Sequence, residues 1–206
     1  MEKILISSDS SLCVEFGSSI SEEINQRVNA FAKLLEKENV PGVTELVPTY
    51  RSVTVHYRPE QISYARLRTV LEELSHRNVA VVQELQPEIV IPVLYGGTCG
   101  PDLPRVAALH GLTEEEVVQL HTAPSYLIYM MGFLPGFCYL GGLDKRIATS
   151  RLEVPRVKIP AGSVGIAGEQ TGIYPLDSPG GWQLIGRTPL KLYDPQRPEP
   201  ILLRAG

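Results

Sequence analysis

The chain has 206 residues, of which 43% are hydrophobic and 20% are charged, the composition of a folded globular protein rather than a disordered one. Its formal net charge of -4 gives no positive excess, which disfavours nucleic acid and anionic membranes as partners. The amino terminus does not resemble a signal peptide, and no apolar run approaches the length of a membrane span. With three widely spaced cysteines that fit reduced thiols, these features predict a cytoplasmic protein.

Glycine and proline divide the chain into two parts. Only two of the 18 glycines and four of the 17 prolines precede residue 91. Pro87 also interrupts two apolar runs, at a point where an element is expected to end. We therefore predict two domains, residues 1–86 and residues 87–206.

The first part alternates short apolar runs with two helical patterns. A capping-box spacing at Ser19 and Glu22 precedes an apolar stripe over residues 24–35, and a second stripe covers residues 67–74. Period-two or compact apolar runs predict strands at residues 3–6, 12–16, 43–47, 53–57 and 79–85. The β-α-β-β-α-β order predicts a ferredoxin-like domain with helices on one face of an antiparallel sheet. RNA binding on the open face is disfavoured, because few aromatics and no glycine-aromatic signature are present.

The second part opens with a largely apolar run at residues 89–94. A helix is predicted at residues 103–109, where Asp102 is better placed for helix N-capping than for catalysis. Thr113 and Glu116 form a capping box before a further helix, and residues 126–131 form a strand. Residues 156–188 are too rich in glycine and proline for a helix and predict a tightly turned β-structure.

Standard catalytic and metal-binding sets are absent from the sequence. The glycines match neither a dinucleotide fingerprint, a phosphate loop nor a nucleophile elbow, and the four histidines and three cysteines lack zinc spacing. His110 and His121 fall near predicted helix carboxyl ends, where the dipole favours imidazolium, although such histidines are often only terminal residues. Cys138 has no neighbouring histidine or lysine in sequence, so we interpret it as a packing residue.

An aromatic loop follows the strand predicted at residues 126–131. Its rings could line a pocket or a partner surface, or they could fold over the β-structure. Glycines in residues 156–188 could serve turns or contact a ligand through main-chain amides. Arg156, Lys158 and Arg187 could add positive charge there, or they could be surface or ion-paired residues.

Three segments of the second part carry a family resemblance. Residues 132–140, 160–172 and 178–188 resemble the signatures of the 5-oxoprolinase B-subunit family, also called allophanate hydrolase subunit 1 or KipI. Residues 9–17, 48–52 and 95–103 are similar to its amino-terminal and middle motifs. The resemblance therefore extends over nearly the whole chain.

This resemblance implies a fold and a set of partners. It implies a ferredoxin-like first domain, a cyclophilin-like β-barrel second domain, and a companion of the KipA type, the C subunit, with a related barrel. The A, B and C subunits of such a system together open 5-oxoproline to glutamate with ATP hydrolysis. ATP with Mg would act in the complex, and we expect no cofactor or metal bound by this chain alone.

The resemblance leaves the roles of individual residues open. Candidates for catalytic groups are His121, Arg156 and Gln170. Trp182 could be a core residue or an interface residue. Candidates for ligand or partner binding are Phe133, Pro135, Phe137, Gly162, Ser163, Gly165, Thr171, Tyr174, Gly180, Gly181, Trp182 and Arg187.

Two other functions belong to the same family. A KipI-type protein inhibits a sporulation histidine kinase by binding its dimerisation helices, without catalysing a reaction. An accessory role in a urea carboxylase or allophanate hydrolase system is the third interpretation. Relatives usually continue into another strand after residues 201–206, so three alternatives are expected here: an unclosed barrel, a barrel completed by a partner, or a chain that has been cut short.

Overall fold

The computed structural model describes residues 2–77 and 88–205. Within these ranges the chain is a mixed α/β protein with four α-helices and three β-sheets. Contacts divide it into two compact units, Met1–Leu85 and Gln86–Gly206. The strand predicted at residues 79–85 lies outside the described residues. No described helix has both the length and the apolar character needed to cross a membrane.

The first unit is built on one antiparallel sheet. Its elements are β1 (Lys3–Ser8), β2 (Ser11–Glu15), α1 (Glu22–Glu38), β3 (Val43–Pro48), β4 (Ser52–Tyr57) and α2 (Tyr64–Ser75). The sheet order is β1-β2-β4-β3, so the central pair is formed by β2 and β4. The four predicted strands that fall within the described residues, and both predicted helices, are confirmed with small shifts of their ends.

The core of the first unit follows from the strand period of two residues and the helix period of about 3.6 residues. Leu12 and Val14 of β2 lie opposite Val55 and Val53 of β4, and all four side chains are fully buried. The apolar stripes of both helices pack against this face of the sheet. The helical residues of this core are Val28, Phe31, Ala32, Leu35, Leu67, Leu71 and Leu74.

The amino terminus of α1 corrects one prediction. Ser21, not Ser19, is the N-cap, and its hydroxyl oxygen accepts a hydrogen bond from the Ile24 amide at 3.2 Å. Glu22 is the first helical residue and therefore cannot act as the third residue of a capping box. Several serines precede this helix, and spacing alone did not identify the one that adopts the extended cap conformation.

The second unit contains a six-stranded antiparallel sheet and a two-stranded ribbon. Its elements are β5 (Leu94–Tyr95), α3 (Leu103–His110), α4 (Glu114–Thr122), β6 (Leu127–Met131), β7 (Cys138–Gly141), a 3-10 turn (Lys145–Ile147), β8 (Arg156–Ile159), β9 (Ser163–Ala167), β10 (Gln170–Ile173), β11 (Ser178–Gly180) and β12 (Gln183–Arg187). The larger sheet has the order β5-β12-β9-β10-β7-β6, and β11 pairs with β8 in the ribbon.

The start of this unit contains one short strand and two helices. Of the apolar run at residues 89–94, only Leu94 belongs to β5, which pairs with the end of β12 through Leu94 and Tyr95. Pro92 lies within that run and cannot donate to a ladder. The helix expected at residues 103–109 is confirmed as α3. The capping box of α4 is also confirmed, because the Glu116 amide donates to the Thr113 hydroxyl at 3.1 Å and the Thr113 amide donates to the Glu116 carboxylate at 2.7 Å.

Replacing Ser21 with alanine tests the corrected helix start. The variant leaves the Ile24 amide without its side-chain acceptor, so we expect the free energy of unfolding to fall by about 1 kcal/mol. Urea denaturation followed by circular dichroism measures this change. Ser19→Ala is the matched control and is expected to change it by less than about 0.5 kcal/mol. A larger loss at Ser19 than at Ser21 would contradict the assignment.

Candidate functional site

Two glycines face each other at the centre of the larger sheet. Gly165 of β9 and Gly172 of β10 are partners in the antiparallel register. A Cβ on Gly172 would lie 2.8 Å from the Cys138 carbonyl oxygen and 3.0 Å from the Trp182 ring, and one on Gly165 would lie 3.1 Å from the Trp182 Cβ. The bare backbone of this glycine pair therefore allows the tryptophan to lie directly against the sheet.

The structure separates the predicted turn glycines into two groups. Gly162 and Gly168 adopt left-handed φ values of +84° and +61°, as turns require. Gly165 and Gly172 lie inside strands, so their prediction as turn residues is wrong. Gly180 ends β11, where a Cβ would lie 2.5 Å from the Tyr174 hydroxyl. These three glycines are needed for close packing of aromatic side chains rather than for chain reversal.

Four aromatic side chains pack together beside the glycine pair, and we call them the ring cluster: Phe137, Tyr139, Tyr174 and Trp182. Phe137 lies at their centre, with ring centroids 4.9 Å from Tyr139, 5.2 Å from Tyr174 and 5.5 Å from Trp182. All three contacts are edge-to-face, which is a favoured geometry for aromatic pairs. Phe137, Tyr174 and Trp182 are buried, while Tyr139 is partly exposed.

The loop between β6 and β7 carries the predicted residues Phe133, Pro135 and Phe137. Phe133 and Pro135 are exposed, whereas Phe137 is buried in the ring cluster. The Phe133 ring stands edge-to-face on Phe137 with centroids 5.6 Å apart. The loop therefore has one aromatic residue on its surface and one in its base.

Asp102 connects three elements of the second unit. One carboxylate oxygen accepts a hydrogen bond from the Arg156 guanidinium at 2.7 Å, and the other accepts from the Leu184 amide at 2.6 Å. The side chain makes no capping hydrogen bond to α3, so the predicted N-capping role is wrong, although Asp102 occupies the N-cap position. Arg156 also donates to the Trp182 carbonyl at 3.4 Å. This pair braces α3, β8 and the start of β12.

The other predicted cations are also engaged within the chain. The Arg187 guanidinium donates to the Ala161 carbonyl at 2.9 Å, and the Asp177 carboxylate accepts from the Ala161 amide at 2.8 Å. Lys158 pairs with the same Asp177 at 2.9 Å. The neighbouring amide and cation lower the pKa of Asp177. These contacts fix the turn that precedes β9.

His121 lies in a buried hydrogen-bond chain. Its Nδ1 is 2.8 Å from the Tyr95 hydroxyl, and its Nε2 is 2.8 Å from the Thr171 hydroxyl oxygen. The single Thr171 hydroxyl proton is donated to the Gly165 carbonyl at 2.9 Å. His121 Nε2 must therefore carry a proton and donate to Thr171, while Nδ1 accepts from Tyr95. The chain connects α4 with β5, β10 and β9.

Burial sets the charge state of this histidine. Desolvation lowers the pKa of His121 to about 4, so the imidazole is neutral near pH 7. The expectation that the helix dipole favours imidazolium is wrong here, because burial disfavours the charged form more strongly. Desolvation also raises the pKa of Tyr95 to about 12. Both rings therefore act as neutral hydrogen-bonding groups.

The remaining predicted residues are distributed over the same sheet. Ser163 is buried at the start of β9, and its carbonyl accepts from the Tyr174 amide at 2.9 Å. Gln170 is the first residue of β10 and is partly exposed. The Gly181 carbonyl accepts from the Leu152 amide at 2.7 Å. Cys138 is fully buried, and desolvation raises the pKa of its thiol to about 12, in agreement with a packing role.

Sequence reasoning missed three polar residues. Tyr95 and Asp177 were not predicted as partners of His121 and of the turn at Ala161, because no spacing signal connects residues so far apart in sequence. Gln183 is buried and donates to the Ser150 carbonyl at 2.9 Å, whereas its side-chain oxygen has no hydrogen-bond partner among the described residues. The sequence around Gln183 contains no pattern that predicts burial of this side chain.

Several groups of the second unit that could take part in chemistry are buried or paired. Within residues 2–77 and 88–205, no group of three histidine, cysteine or acidic side chains could hold a metal ion. Cys138 and His121 are buried and neutral, and Arg156 is paired with Asp102. Two open clefts of about 360 and 440 Å³ lie in the first unit, away from every predicted site residue. The ring cluster and the exposed loop above it bring together four of the predicted binding residues, Phe133, Phe137, Tyr174 and Trp182.

Comparison with known proteins identifies the family. Residues 2–203 match the model of the carboxyltransferase domain, subdomains C and D. The chain is 46% identical over 209 aligned residues to the 5-oxoprolinase B subunit of Bacillus subtilis (strain 168), covering 96% of this chain and 87% of that protein. The chain belongs to the 5-oxoprolinase B-subunit family. The B subunit of 5-oxoprolinase from Escherichia coli O157:H7 is 49% identical, covering 82% of this chain and 77% of its own length.

Solved structures extend the comparison. The crystal structure of TTHA0988 matches with a TM-score of 0.82 and 41% identity, covering 95% of this chain. This chain spans 38% of the TTHA0988 polypeptide. PH0987 from Pyrococcus horikoshii is 48% identical with a TM-score of 0.57. The match covers 99% of this chain and 94% of PH0987. The urea amidolyase of K. lactis shares the fold, with a TM-score of 0.78 at 20% identity.

The buried histidine predicts a pH dependence of stability. Since the folded state lowers the pKa of His121 from 6.5 to about 4, the unfolded state binds the proton more readily between these values. Stability from this group is present above about pH 6.5 and is lost as the pH falls to about 4, by up to about 3 kcal/mol. Urea denaturation from pH 7 to pH 4 measures the loss. His121→Gln should show a smaller loss over this window, and equal losses would contradict the assignment.

The glycine pair predicts a packing effect. Gly172→Ala places a Cβ against the Cys138 carbonyl and the Trp182 ring, so we expect the free energy of unfolding to fall by about 2 kcal/mol or more. Gly181→Ala is the matched control, because its Cβ would make only ordinary contacts of 3.6 Å or longer. Near-ultraviolet circular dichroism during denaturation reports on the ring cluster. Equal stability of the two variants would contradict the packing role.

Proposed function

We propose that this chain is the B subunit of an ATP-dependent 5-oxoprolinase, which acts with the A and C subunits to convert 5-oxoproline to glutamate. The observation that carries the proposal is 41–49% identity to three curated B subunits of 5-oxoprolinase, over 82–97% of this chain. Relatives named urea amidolyase are only 25–28% identical, and this chain spans 11% of their length. The 5-oxoprolinase assignment is therefore preferred to a urea carboxylase role.

The proposal includes the finer fold and the compartment. We assign the first unit to the ferredoxin-like class, supported by two helices packed on one face of an antiparallel sheet. We assign the second unit to the cyclophilin-like class, supported by its six-stranded antiparallel sheet with a separate ribbon. We place the protein in the cytoplasm, where its three free thiols would remain reduced.

The chemistry explains why several subunits are needed. A lactam carbonyl is a poor electrophile, and transfer of the ATP γ-phosphoryl group to its oxygen, with departure of ADP, would activate the carbon toward water. Such a site must hold a carboxylate and a phosphate, with Mg accompanying ATP in the complex. The Arg156–Asp102 and Lys158–Asp177 pairs already neutralise two cations of this chain. The A and C subunits would therefore supply most of the charged groups for this reaction.

The role of this chain in the complex is that of a non-autonomous subunit. Its Cys138 thiol and its buried imidazole are neutral and inaccessible, so neither is suited to proton transfer with a substrate. Among the predicted catalytic residues, Gln170 is a partly exposed neutral hydrogen-bonding group. We expect it to orient substrate or partner rather than to form or break a bond.

Reconstitution of the complex tests the proposed function. We expect the purified chain alone to release no glutamate from 5-oxoproline and ATP, and the mixture with the A and C subunits of the same genome to release it. The physical reason is that the described residues contain paired charges and buried titratable groups rather than an accessible catalytic set. An enzyme-coupled glutamate assay, with parallel measurement of phosphate release, gives the readout.

Two controls make this test decisive. The A and C subunits without this chain should be inactive, and omission of ATP should abolish glutamate release. Turnover by the isolated chain would contradict its non-autonomous role. If the three-subunit mixture is inactive while the chain blocks autophosphorylation of a sensor histidine kinase, the KipI-type function replaces the proposed one.

A further inference from the structure

Most cations of the second unit are already engaged within the chain. Arg187 donates to the Ala161 carbonyl at 2.9 Å. The cations that form ion pairs with aspartate or glutamate are Lys145, Arg146, Arg156, Lys158, Lys191, Arg197 and Arg204. Within residues 88–205, Arg105 and Arg151 are left without a carboxylate or a hydrogen-bond acceptor. Their guanidinium donors are therefore available to a ligand.

The main chain on both sides of Arg151 is held in place. The Ser150 carbonyl accepts a hydrogen bond from the buried Gln183 side chain at 2.9 Å. The Leu152 amide donates to the Gly181 carbonyl at 2.7 Å. Both hydrogen bonds connect the Arg151 segment to the two residues that flank the tryptophan of the ring cluster. A cation on an anchored segment loses less conformational entropy when it binds a ligand.

The Arg151 side chain lies against the ring cluster. Its guanidinium carbon is 6.0 Å from the centroid of the Trp182 ring, the geometry of a cation–π contact. Tyr139 stands edge-to-face on the same tryptophan, with centroids 6.1 Å apart. Desolvation raises the pKa of Tyr139, and the positive charge of Arg151 opposes this rise, so the guanidinium lies near the phenol. An exposed cation and a partly exposed ring thus share one buried indole as their support.

The charge of this surface fits a carboxylate better than a phosphate. Arg156 is the other cation near the ring cluster, and Asp102 neutralises it. One uncompensated guanidinium matches the single charge of a carboxylate, which it can bind through two parallel hydrogen bonds. The phosphates of ATP carry several charges and are usually held by several cations, a metal ion and main-chain amides. The aromatic rings also favour a carboxylate attached to a small apolar body.

We propose that Arg151, Tyr139 and Trp182 form a binding site for a small cyclic carboxylate, the 5-oxoproline of the proposed reaction. Arg151 binds the substrate carboxylate, and the Tyr139 ring contacts the methylene groups of the lactam. This inference rests on the function proposed above. The carboxylate is unchanged while the lactam C–N bond is hydrolysed, so Arg151 would bind the ground state and the transition state about equally. Its loss should therefore raise KM and leave kcat nearly unchanged.

The fluorescence of Trp182 tests binding directly, because it is the only tryptophan in the chain. Titration of the wild-type chain with 5-oxoproline should give a saturable change. The same lactam without its carboxylate, 2-pyrrolidinone, should give none at these concentrations. Arg151→Ala should raise the Kd for 5-oxoproline at least about tenfold, the effect of losing hydrogen bonds to a charged group. Arg105→Ala is the matched control, with a Kd within about twofold of wild type.

Steady-state kinetics of the complex with the A and C subunits provides a second readout. Arg151→Ala should raise the KM for 5-oxoproline at least about tenfold, while kcat and the KM for ATP stay within about twofold. Arg151→Lys keeps the charge but loses the two-pronged geometry, so its KM should lie between those of wild type and Arg151→Ala. Circular dichroism at the assay temperature verifies that the arginine variants are folded. An active complex in which Arg151→Ala leaves this KM unchanged would show the inference to be wrong while the proposed function stands.

The remaining outcomes separate the ligand from the function. If ATP, but not 5-oxoproline, changes the Trp182 fluorescence in a manner that depends on Arg151, the surface binds phosphate and the inference is wrong. Equal binding of 2-pyrrolidinone and 5-oxoproline would also contradict it, because the carboxylate would then contribute nothing. If the complex releases no glutamate while the chain binds 5-oxoproline through Arg151, the site stands and the proposed function fails.

Discussion

The facing glycines Gly165 and Gly172 are the constraint on which the second unit depends. Without side chains at these paired positions, Trp182 and Phe137 lie directly on the sheet and meet edge-to-face. Each aromatic pair in the ring cluster adds about 0.5–1.5 kcal/mol beyond its buried area. The same rings support the loop that exposes Phe133. The lack of side chains at Gly165 in β9 and Gly172 in β10 therefore determines where Phe133 lies in the loop between β6 and β7.

Local periodicity predicted most of the fold. The alternation of buried and partly buried residues in β4 and the apolar stripes of α1 and α2 are confirmed, because each depends only on neighbours in sequence. The N-cap of α1 was misplaced because several serines satisfy the same local rule. Gly165 and Gly172 were misassigned because a glycine that forms a turn and a glycine that admits a ring look identical in sequence. Tertiary contacts distinguish them.

The candidate site also combines segments that the sequence identified with contacts that it could not predict. The three segments that carried the family resemblance come together, since residues 132–140, 160–172 and 178–188 supply the exposed loop, the glycine pair and Trp182. Their pairing could not be derived from spacing, because antiparallel register is set by partners far apart in sequence. Asp102 illustrates the consequence. Its position at a helix start was predicted, but its carboxylate binds Arg156 and the Leu184 amide, from segments more than fifty residues away.

The pKa shifts of three buried groups in the second unit share one leading cause. Here desolvation is the leading cause for His121, Cys138 and Tyr174, and it disfavours the charged form of each. These groups are thus held neutral inside the unit, where they hydrogen-bond or pack. Near pH 7 the Nδ1 atom of His121 therefore remains an acceptor for the Tyr95 hydroxyl, and the hydrogen-bond chain across the unit stays intact.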